Sequence, residues 1–373
     1  MVTDIQRIVI SGYYGFGNSG DEAVLQSILT SLQEESEQAG IKLEPVVLSA
    51  DPEWTSRIYG VESVHRMKLQ DVISAIRGSE GLISGGGSLL QDVTGWKTIP
   101  YYLGIIRLAQ GFGKPVFIYS QGIGPVNRPI FHPWIRRIYS RCRYLSVRDQ
   151  ESASLLEHMG LDRAKIEVVP DPVMSFARMN ADRAAGSGEP VIGVSVRFWD
   201  PDHTDLKGIA EALRQIVSAT DARLRFLPFH QPEDIQASQA VIDFLGDGLK
   251  GRATLVQGAE TPLEMVRQTA DCDLLIGMRL HSLIYAASQL VPMVGISYDP
   301  KIDHFLRRLG MEPASRTDRP EPGRIAAAAL HLLDNSEQWK HQKKEIIENF
   351  RTQSRLPAQQ IIDYLRNKRV GNR

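Results

Sequence analysis

The sequence predicts an α/β protein made of two Rossmann-like domains facing one another across a cleft. Three observations carry that expectation. Short apolar runs recur at βα spacing, each followed by glycine or polar residues and then by a helical pattern. A polar stretch at 180–190 (NADRAAGSGEP) reads as a linker, and the same pattern restarts after it. The unit is clearest at 274–300, where the apolar run 274–276 breaks at Gly277 and Met278-Arg279-Leu280-His281 leads into a helix with apolar Leu283, Ile284, Ala287 and Leu290. Ligands of open α/β sheets bind outside the carboxyl ends of the strands. Arg279 and His281 therefore stand where chemistry is expected. The expected domains are 1–180 on the acceptor side and 190–335 on the donor side, with terminal helices over 336–373 packing back across both.

In chain order, 7–11 (RIVIS) is the first strand and 12–20 (GYYGFGNSG) a glycine-rich loop. Asp21 and Glu22 then open a helix, two acids that suit its N-terminal dipole. The loop formally matches G-x-G-x-x-G, but its glycines do not follow the strand directly, and Asp51 lies too far on for a ribose contact. It reads either as a tight turn or as a backbone cradle for an anionic group. Strands follow at 45–49, 81–84, 116–120, 144–147 and 166–169. Their exits carry Gly85-Gly86-Gly87-Ser88 with Asp92, then Gln121-Gly122, then Arg148-Asp149, then Asp171. Three glycines in a row cost backbone entropy, so Gly85–Gly87 is the turn least expected to be inert.

The segment 128–148 holds six arginines and no acid. Phe131, Trp134, Ile135, Ile138, Tyr139 and Cys142 recur at helical spacing and read as a core stripe. Arg136, Arg137 and Arg141 would form a solvated face or a basic surface for an anionic partner. In the second half, strands at 191–196, 224–227, 254–257 and 293–297 exit at Arg197, His230, Gly258 and Tyr298. Thr261-Pro262-Leu263-Glu264 is a capping box with proline at N1. Helices are expected at 323–334, 336–352 and 357–367.

Composition excludes several classes. The 373 residues are 42% hydrophobic and 23% charged with a net charge of −1, so bulk charge gives no case for nucleic-acid binding. Cys142 and Cys272 lie far apart, as in a reducing cytoplasm. No signal peptide and no run of the ~18–20 apolar residues that span a bilayer is expected. The nine histidines show no metal-ligand spacing, so no protein-bound metal is expected. Neither G-x-S-x-G nor G-x-x-x-x-G-K-[ST] occurs, which argues against an α/β-hydrolase or a P-loop kinase.

The strand exits together present arginines able to fork onto carboxylate or phosphate, and an imidazole able to carry a proton. An arginine at a strand end more often pairs with an acid, and His230 reads equally as structural. Arg279 and His281 share one turn at a helix start, which favours a site. The residues themselves reach a two-domain enzyme acting on an anionic substrate, and no reaction.

GYYGFGNSGDEAVL, SGGGSLLQD at 84–92, SQGIGP at 120–125, SVRD at 146–149, PDPV at 170–173 and GMRLHSLIYAASQLVP at 277–292 resemble the polysaccharide pyruvyl transferase family over nearly the full chain. Within it the chain is most similar to bacterial enzymes that pyruvylate secondary cell-wall polymers, which anchor surface-layer proteins. The resemblance implies a GT-B-like fold, phosphoenolpyruvate as co-substrate with no cofactor, and a lipid-diphosphate-linked saccharide as acceptor, ketalised at the 4- and 6-hydroxyls of N-acetylmannosamine. It casts His281, Arg148 and Arg279 as catalytic residues, with Arg148, Arg197, His230, Arg279 and Leu280 on the donor. Gly15, Gly17, Asn18, Asp21, Gly86, Gly87, Ser88, Asp92, Gln121 and Asp171 would face the acceptor. The stretch from Arg128 to Arg143 would meet the inner leaflet of the membrane, placing a cytoplasmic protein peripherally there. Two rival expectations are a nucleotide-sugar glycosyltransferase or epimerase of the same fold, and a non-catalytic polysaccharide-binding module.

Overall fold

A computed structural model of the chain describes residues 5–93, 95–179, 188–259 and 261–371. It divides into two compact units. The first comprises Met1–Gly17, Asp21–Ser175 and Phe350–Arg373, and the second Asn18–Gly20 and Phe176–Asn349. Most of the expected linker, 180–187, lies outside the described residues.

The first unit is a parallel sheet of β1 (Gln6–Ser11), β2 (Leu43–Ser49), β3 (Glu62–His65), β4 (Gly81–Ser84), β5 (Gly87–Leu90), β6 (Val116–Ile123), β7 (Tyr144–Val147) and β8 (Glu167–Val168). Its order is β3-β2-β1-β4-β6-β7-β8, with β5 added beside β6. The buried Val/Ile runs of β1, β4 and β6 follow from a sheet covered on both faces. The chain steps outward from β1 to β2 and β3, then crosses to β4 on the other side. That reversal is a topological switch point, where a crevice opens at the strand ends. Ser11 pairs with both Leu48 and Ser84, so the three central strands end level and their loops emerge side by side.

Two strands here escape sequence reading. β3 (ESVH) has no apolar run to announce it. β5 begins inside the triple glycine that reads as a turn; Gly87 pairs with Gln121 and Leu90 with Ile123. The arginine-rich segment also differs from its expected form. Its helix is only His132–Tyr139, and Ile135 and Tyr139 are its buried face. Trp134, expected in the core stripe, is 52% exposed and meets Phe131 at 6.2 Å between ring centroids. Over two helical turns, Ile135 and Tyr139 suffice to seat the helix, and Trp134 lies about 100° from Ile135 around its axis.

The second unit repeats the design with β9 (Val191–Ser195), β10 (Arg223–Phe226), β11 (Ala253–Leu255), β12 (Leu274–Gly277), β13 (Met293–Ser297) and β14 (Ser315–Arg316). All pairs are parallel, in the order β11-β10-β9-β12-β13-β14. The switch point lies between β9 and β12, where Ser195 pairs with Gly277 and the Met278 amide donates to the Ser195 carbonyl at 2.8 Å. The chain therefore leaves β9 at Arg197 and β12 at Arg279 beside the switch point. The helix Pro262–Ala270 is held by the expected capping box between Thr261 and Glu264.

Helices Pro322–Asp334, Ser336–Ser354 and Leu356–Gly371 end the chain. The last packs within the first unit, where Tyr364 meets Phe117 edge-on at 5.5 Å and Gln359 donates to Glu35 at 3.2 Å.

Candidate active site

In the first unit the loop after β1 is built around a buried carboxylate. Glu22 accepts from the Gly15 amide at 2.7 Å and from the Tyr59 hydroxyl at 2.9 Å. Burial holds its pKa above the ordinary carboxylate value, and those hydrogen bonds oppose the rise only in part. Gly15 has φ +79° and backs onto Ser49 and Asp51, so only glycine turns the chain there. Gly17 also has positive φ but faces open space. Asp21 reaches across to β5, where a Cβ on Gly87 would lie 2.7 Å from its carboxylate. A Cβ on Gly86 would press on Val24 at 2.8 Å. The expected Gly86, Gly87 and Asp21 thus form one close-packed corner at the switch point.

Arg148 leaves the end of β7 and is only 5% exposed. Its guanidinium donates to Ser88 at 2.9 Å and to Asp171 at 3.4 Å, and lies 3.5 Å from Asp149. Gly122 leaves room for it, since a Cβ there would come within 2.8 Å of Nε. The structure therefore gathers Ser88 and Asp171, expected on the acceptor, with Arg148, expected on the donor. Arg148, Asp149 and Asp171 form a buried ion cluster, so an Arg148→Ala change cannot leave the fold untouched.

Two expected acceptor contacts are turned to internal work. Both oxygens of Asp92 accept backbone amides, from Asn127 and Arg128 at 2.9 Å, and its side chain is buried. Gln121 is wholly buried, accepting from the Tyr139 hydroxyl and donating to Ser84 at 3.4 Å. A buried polar group without a partner is costly, so both side chains are committed to the fold.

Sequence reading missed a feature at these strand ends. Tyr13 and Phe16 stack in parallel at 4.0 Å and are 38% and 39% exposed. Arg66 sits behind, 5.2 Å from the Phe16 ring and 4.4 Å from that of Tyr101, and donates to the Gly12 carbonyl at 3.1 Å. Burial and the Asp21 charge raise the Tyr13 pKa, so its hydroxyl stays protonated. The alternation of aromatics and glycines in GYYGFG was the available signal.

In the second unit Arg279 caps the helix Leu280–Ser288 and forks onto Asp234, with Nε to Oδ2 at 3.0 Å and Nη2 to Oδ1. Asp234 is fully buried and also accepts the amides of Phe229 and His230 at 3.1 and 3.0 Å. One carboxylate thus fixes the exits of both β10 and β12. Nothing in the sequence singled it out, because it lies in the first turn of a helix among ordinary acids. His230 Nδ1 lies 3.2 Å from Glu233. Asn18 bridges to His230, Ser19 donates to the Phe229 carbonyl at 2.9 Å, and the Tyr285 hydroxyl donates to the Ser19 carbonyl at 2.8 Å. These bonds bring Gly20 against His281, and a methyl group on Gly20 would fall on the imidazole ring. Leu280 is the first residue of the same helix and is half-buried. Arg197 donates to the Tyr298 hydroxyl at 2.9 Å and lies over the rings of Tyr298 and Trp199 at 4.9 and 5.5 Å.

Among the described residues, no three His, Cys, Asp or Glu side chains gather so as to hold a metal ion. No described helix is long and apolar enough to cross a membrane.

Two doubly wound parallel sheets with cations and imidazoles at their strand ends define a GT-B-type α/β protein. The fold is shared with the UDP-GlcNAc 2-epimerase of Neisseria meningitidis bound to UDP-GlcNAc (TM-score 0.63, 12% identity, 96% of this chain and 99% of that one). It is shared too with the UDP-GlcNAc 2-epimerase of Methanocaldococcus jannaschii (TM-score 0.65, 12% identity, 97% and 99%). A glycosyltransferase of Rickettsia africae matches at TM-score 0.65 and 9% identity, over 99% of this chain and 100% of that one. At such identities the likeness concerns the fold alone. The chain belongs to the polysaccharide pyruvyl transferase family, which it matches over residues 18–300. It is also 24% identical to the amylovoran biosynthesis protein AmsJ of Erwinia amylovora, over 92% of this chain and 96% of that protein.

Proposed function

We propose that the protein transfers a pyruvyl group from phosphoenolpyruvate to a sugar diol of a bacterial surface polysaccharide precursor, forming a 4,6-linked pyruvate ketal. The observation that carries the reading is the turn after β12, where His281 stands two residues from an arginine already oriented by a buried carboxylate. Family membership and the AmsJ relationship support pyruvyl transfer to polysaccharide in general. The more particular acceptor, N-acetylmannosamine on a lipid-diphosphate carrier of a wall polymer, rests on the resemblance of the motifs.

In the reaction a proton reaches C3 of the enol and leaves an oxocarbenium-like C2. One sugar hydroxyl attacks C2, the C2–O bond to phosphate breaks, and the second hydroxyl closes the ketal. One hydroxyl proton is thereby accounted for at the new methyl group and the other on phosphate. His281 moves the proton. Arg279, with Arg197 and His230, meets the donor's carboxylate and phosphate, and Leu280 lines the same turn. Arg148, at the end of β7 in the first unit and held there by its own carboxylates, is assigned to the donor by the resemblance of the motifs alone. On the acceptor side, the loops carrying Gly15, Gly17 and Asn18 and the corner of Asp21, Gly86, Gly87 and Ser88 take the saccharide. Tyr13 offers an apolar face on which a pyranose can lie.

The test is incubation with phosphoenolpyruvate and a β-linked N-acetylmannosaminyl disaccharide, following inorganic phosphate. Release that depends on both compounds is expected. Nucleoside diphosphate release from a nucleotide sugar would instead favour the glycosyltransferase or epimerase reading, and no turnover of any of them the binding-module reading. Within the pyruvyl-transfer reading, Gly20→Ala is expected to lower kcat about 10²-fold by displacing the imidazole, while the melting temperature stays near wild type. Undiminished kcat would show that the position of the His281 ring against Gly20 is immaterial.

The lipid carrier of such an acceptor would bring the protein to the cytoplasmic face of a membrane. Exposed Ile130 and Trp134 beside Arg137, within the stretch from Arg128 to Arg143, support a peripheral contact there.

A further inference from the structure

The first unit carries a concave site at the end of its sheet opposite to the strand exits described above. A groove of about 980 Å³ opens beneath the amino ends of β6, β7 and β8. Cations reach it from separate segments. Arg107 comes from the helix Thr98–Gly111, and Lys114 from the turn before β6. Arg136 comes from the helix His132–Tyr139, Arg141 and Arg143 from the turn before β7, and Lys165 from the turn before β8. The one carboxylate among its described lining residues is Asp162, which accepts the Ala164 amide at 3.1 Å.

A random surface of this chain would not look like this. The whole protein has a net charge of −1, yet this groove collects six cations against one acid. Among the described residues, Arg107, Arg136, Arg141 and Lys165 are paired with no carboxylate. Like charges so gathered repel one another unless an anion or solvent compensates them, and a concave wall concentrates their field. Two of the cations are also positioned. Arg143 lies 5.1 Å from the Tyr364 ring of the C-terminal helix, and Arg136 lies along Gly160, where a Cβ would meet it at 3.2 Å. Cys142, also in the lining, is held neutral because burial pushes its thiol up to about 12, so it adds no opposing charge.

We propose that this groove binds a phosphate-bearing anion, at a site separate from the carboxyl-end residues of the same unit, although Arg136, Arg141 and Arg143 also lie in the stretch assigned above to a membrane contact. Planar guanidinium forks at several angles match phosphate oxygens, and two or more phosphate charges would answer the excess of cations. The same chemistry is offered by a soluble polyphosphate and by the headgroup of an anionic phospholipid.

The experiment compares the wild-type chain with a variant combining Arg107→Ala and Lys165→Ala, exposed positions outside the stretch from Arg128 to Arg143, after circular dichroism has checked that the two share one fold. One arm titrates inorganic pyrophosphate calorimetrically. The other sediments the protein with phosphatidylcholine vesicles doped with phosphatidylglycerol. Saturable pyrophosphate binding that weakens roughly tenfold or more in the variant supports the site with a soluble source of phosphate. Vesicle binding by the wild type that the variant loses, with or without the pyrophosphate effect, supports the headgroup source. Equal behaviour of the two proteins in both arms, or no binding of either probe by the wild type, overturns the proposal.

Discussion

His281→Ala is expected to cut phosphate release from phosphoenolpyruvate by about 10²–10⁴-fold, the range that a positioned proton carrier supplies. The fold should survive, because the imidazole is only half-buried and its helix is seated by Leu283, Ile284 and Tyr285. The pH–rate profile adds a signature that a packing role would not produce. If His281 carries the proton, its protonation state gates the step, so the wild-type profile should carry a limb that belongs to it. That limb should disappear in His281→Gln while circular dichroism remains unchanged. The sense of the limb also decides the direction of proton transfer: activity lost as pH rises identifies an acid, and activity lost as pH falls a base. A variant that keeps wild-type turnover and profile removes His281 from the chemistry.

The second large effect is on stability as much as on turnover. Arg148→Ala leaves Asp171 and Asp149 buried without the guanidinium that neutralises them. Breaking a buried pair by removing one partner typically costs about 3–5 kcal/mol. A loss of that size should show as a large fall in the urea midpoint. Both carboxylates have local tasks that keep them in place: Asp149 caps the helix Gln150–His158 through the Ser152 amide at 2.7 Å, and Asp171 takes the Val173 amide at 3.1 Å. They cannot simply swing out to water. Arg148→Lys restores the charge without the fork that reaches Ser88 and Asp171 together. It should recover much of the stability and little of the turnover. A wild-type urea midpoint in Arg148→Ala would mean the cluster is not stabilising, and full turnover in Arg148→Lys would mean the fork has no part in transfer.

Much of the site was legible because it follows from strand exits. Arg148, Arg197, His230, Arg279 and His281 each stand just beyond an apolar run, and a parallel sheet brings such ends to one edge within each unit. The partners were not legible. Asp234 binds Arg279 from 45 positions away, and Ser88 meets Arg148 across 60. Asp92 and Gln121 look like site residues in the chain because they follow glycine-rich exits. Their pairing with the 127–128 backbone and with Tyr139 emerges only on folding. Trp134 fails for a related reason. Helical periodicity ranks positions around an axis, but which of them are buried depends on how much of the helix its neighbours cover.

What the amino-acid sequence determined by itself was the local order: strands and helices alternating in two successive blocks, and reactive side chains placed at the strand-to-helix turns. Periods of apolar residues, glycine breaks and caps act over a few positions, so they can be read without the fold. Tertiary structure alone decided which cations are committed to a buried carboxylate, which aromatics stay on the surface and which loops share a switch point. It also set the two ends of the first sheet apart, with the Arg148 cluster at the carboxyl edge and the basic groove at the amino edge. Those outcomes depend on contacts between residues distant in the chain, where desolvation and charge pairing can be settled only once the sheet has assembled.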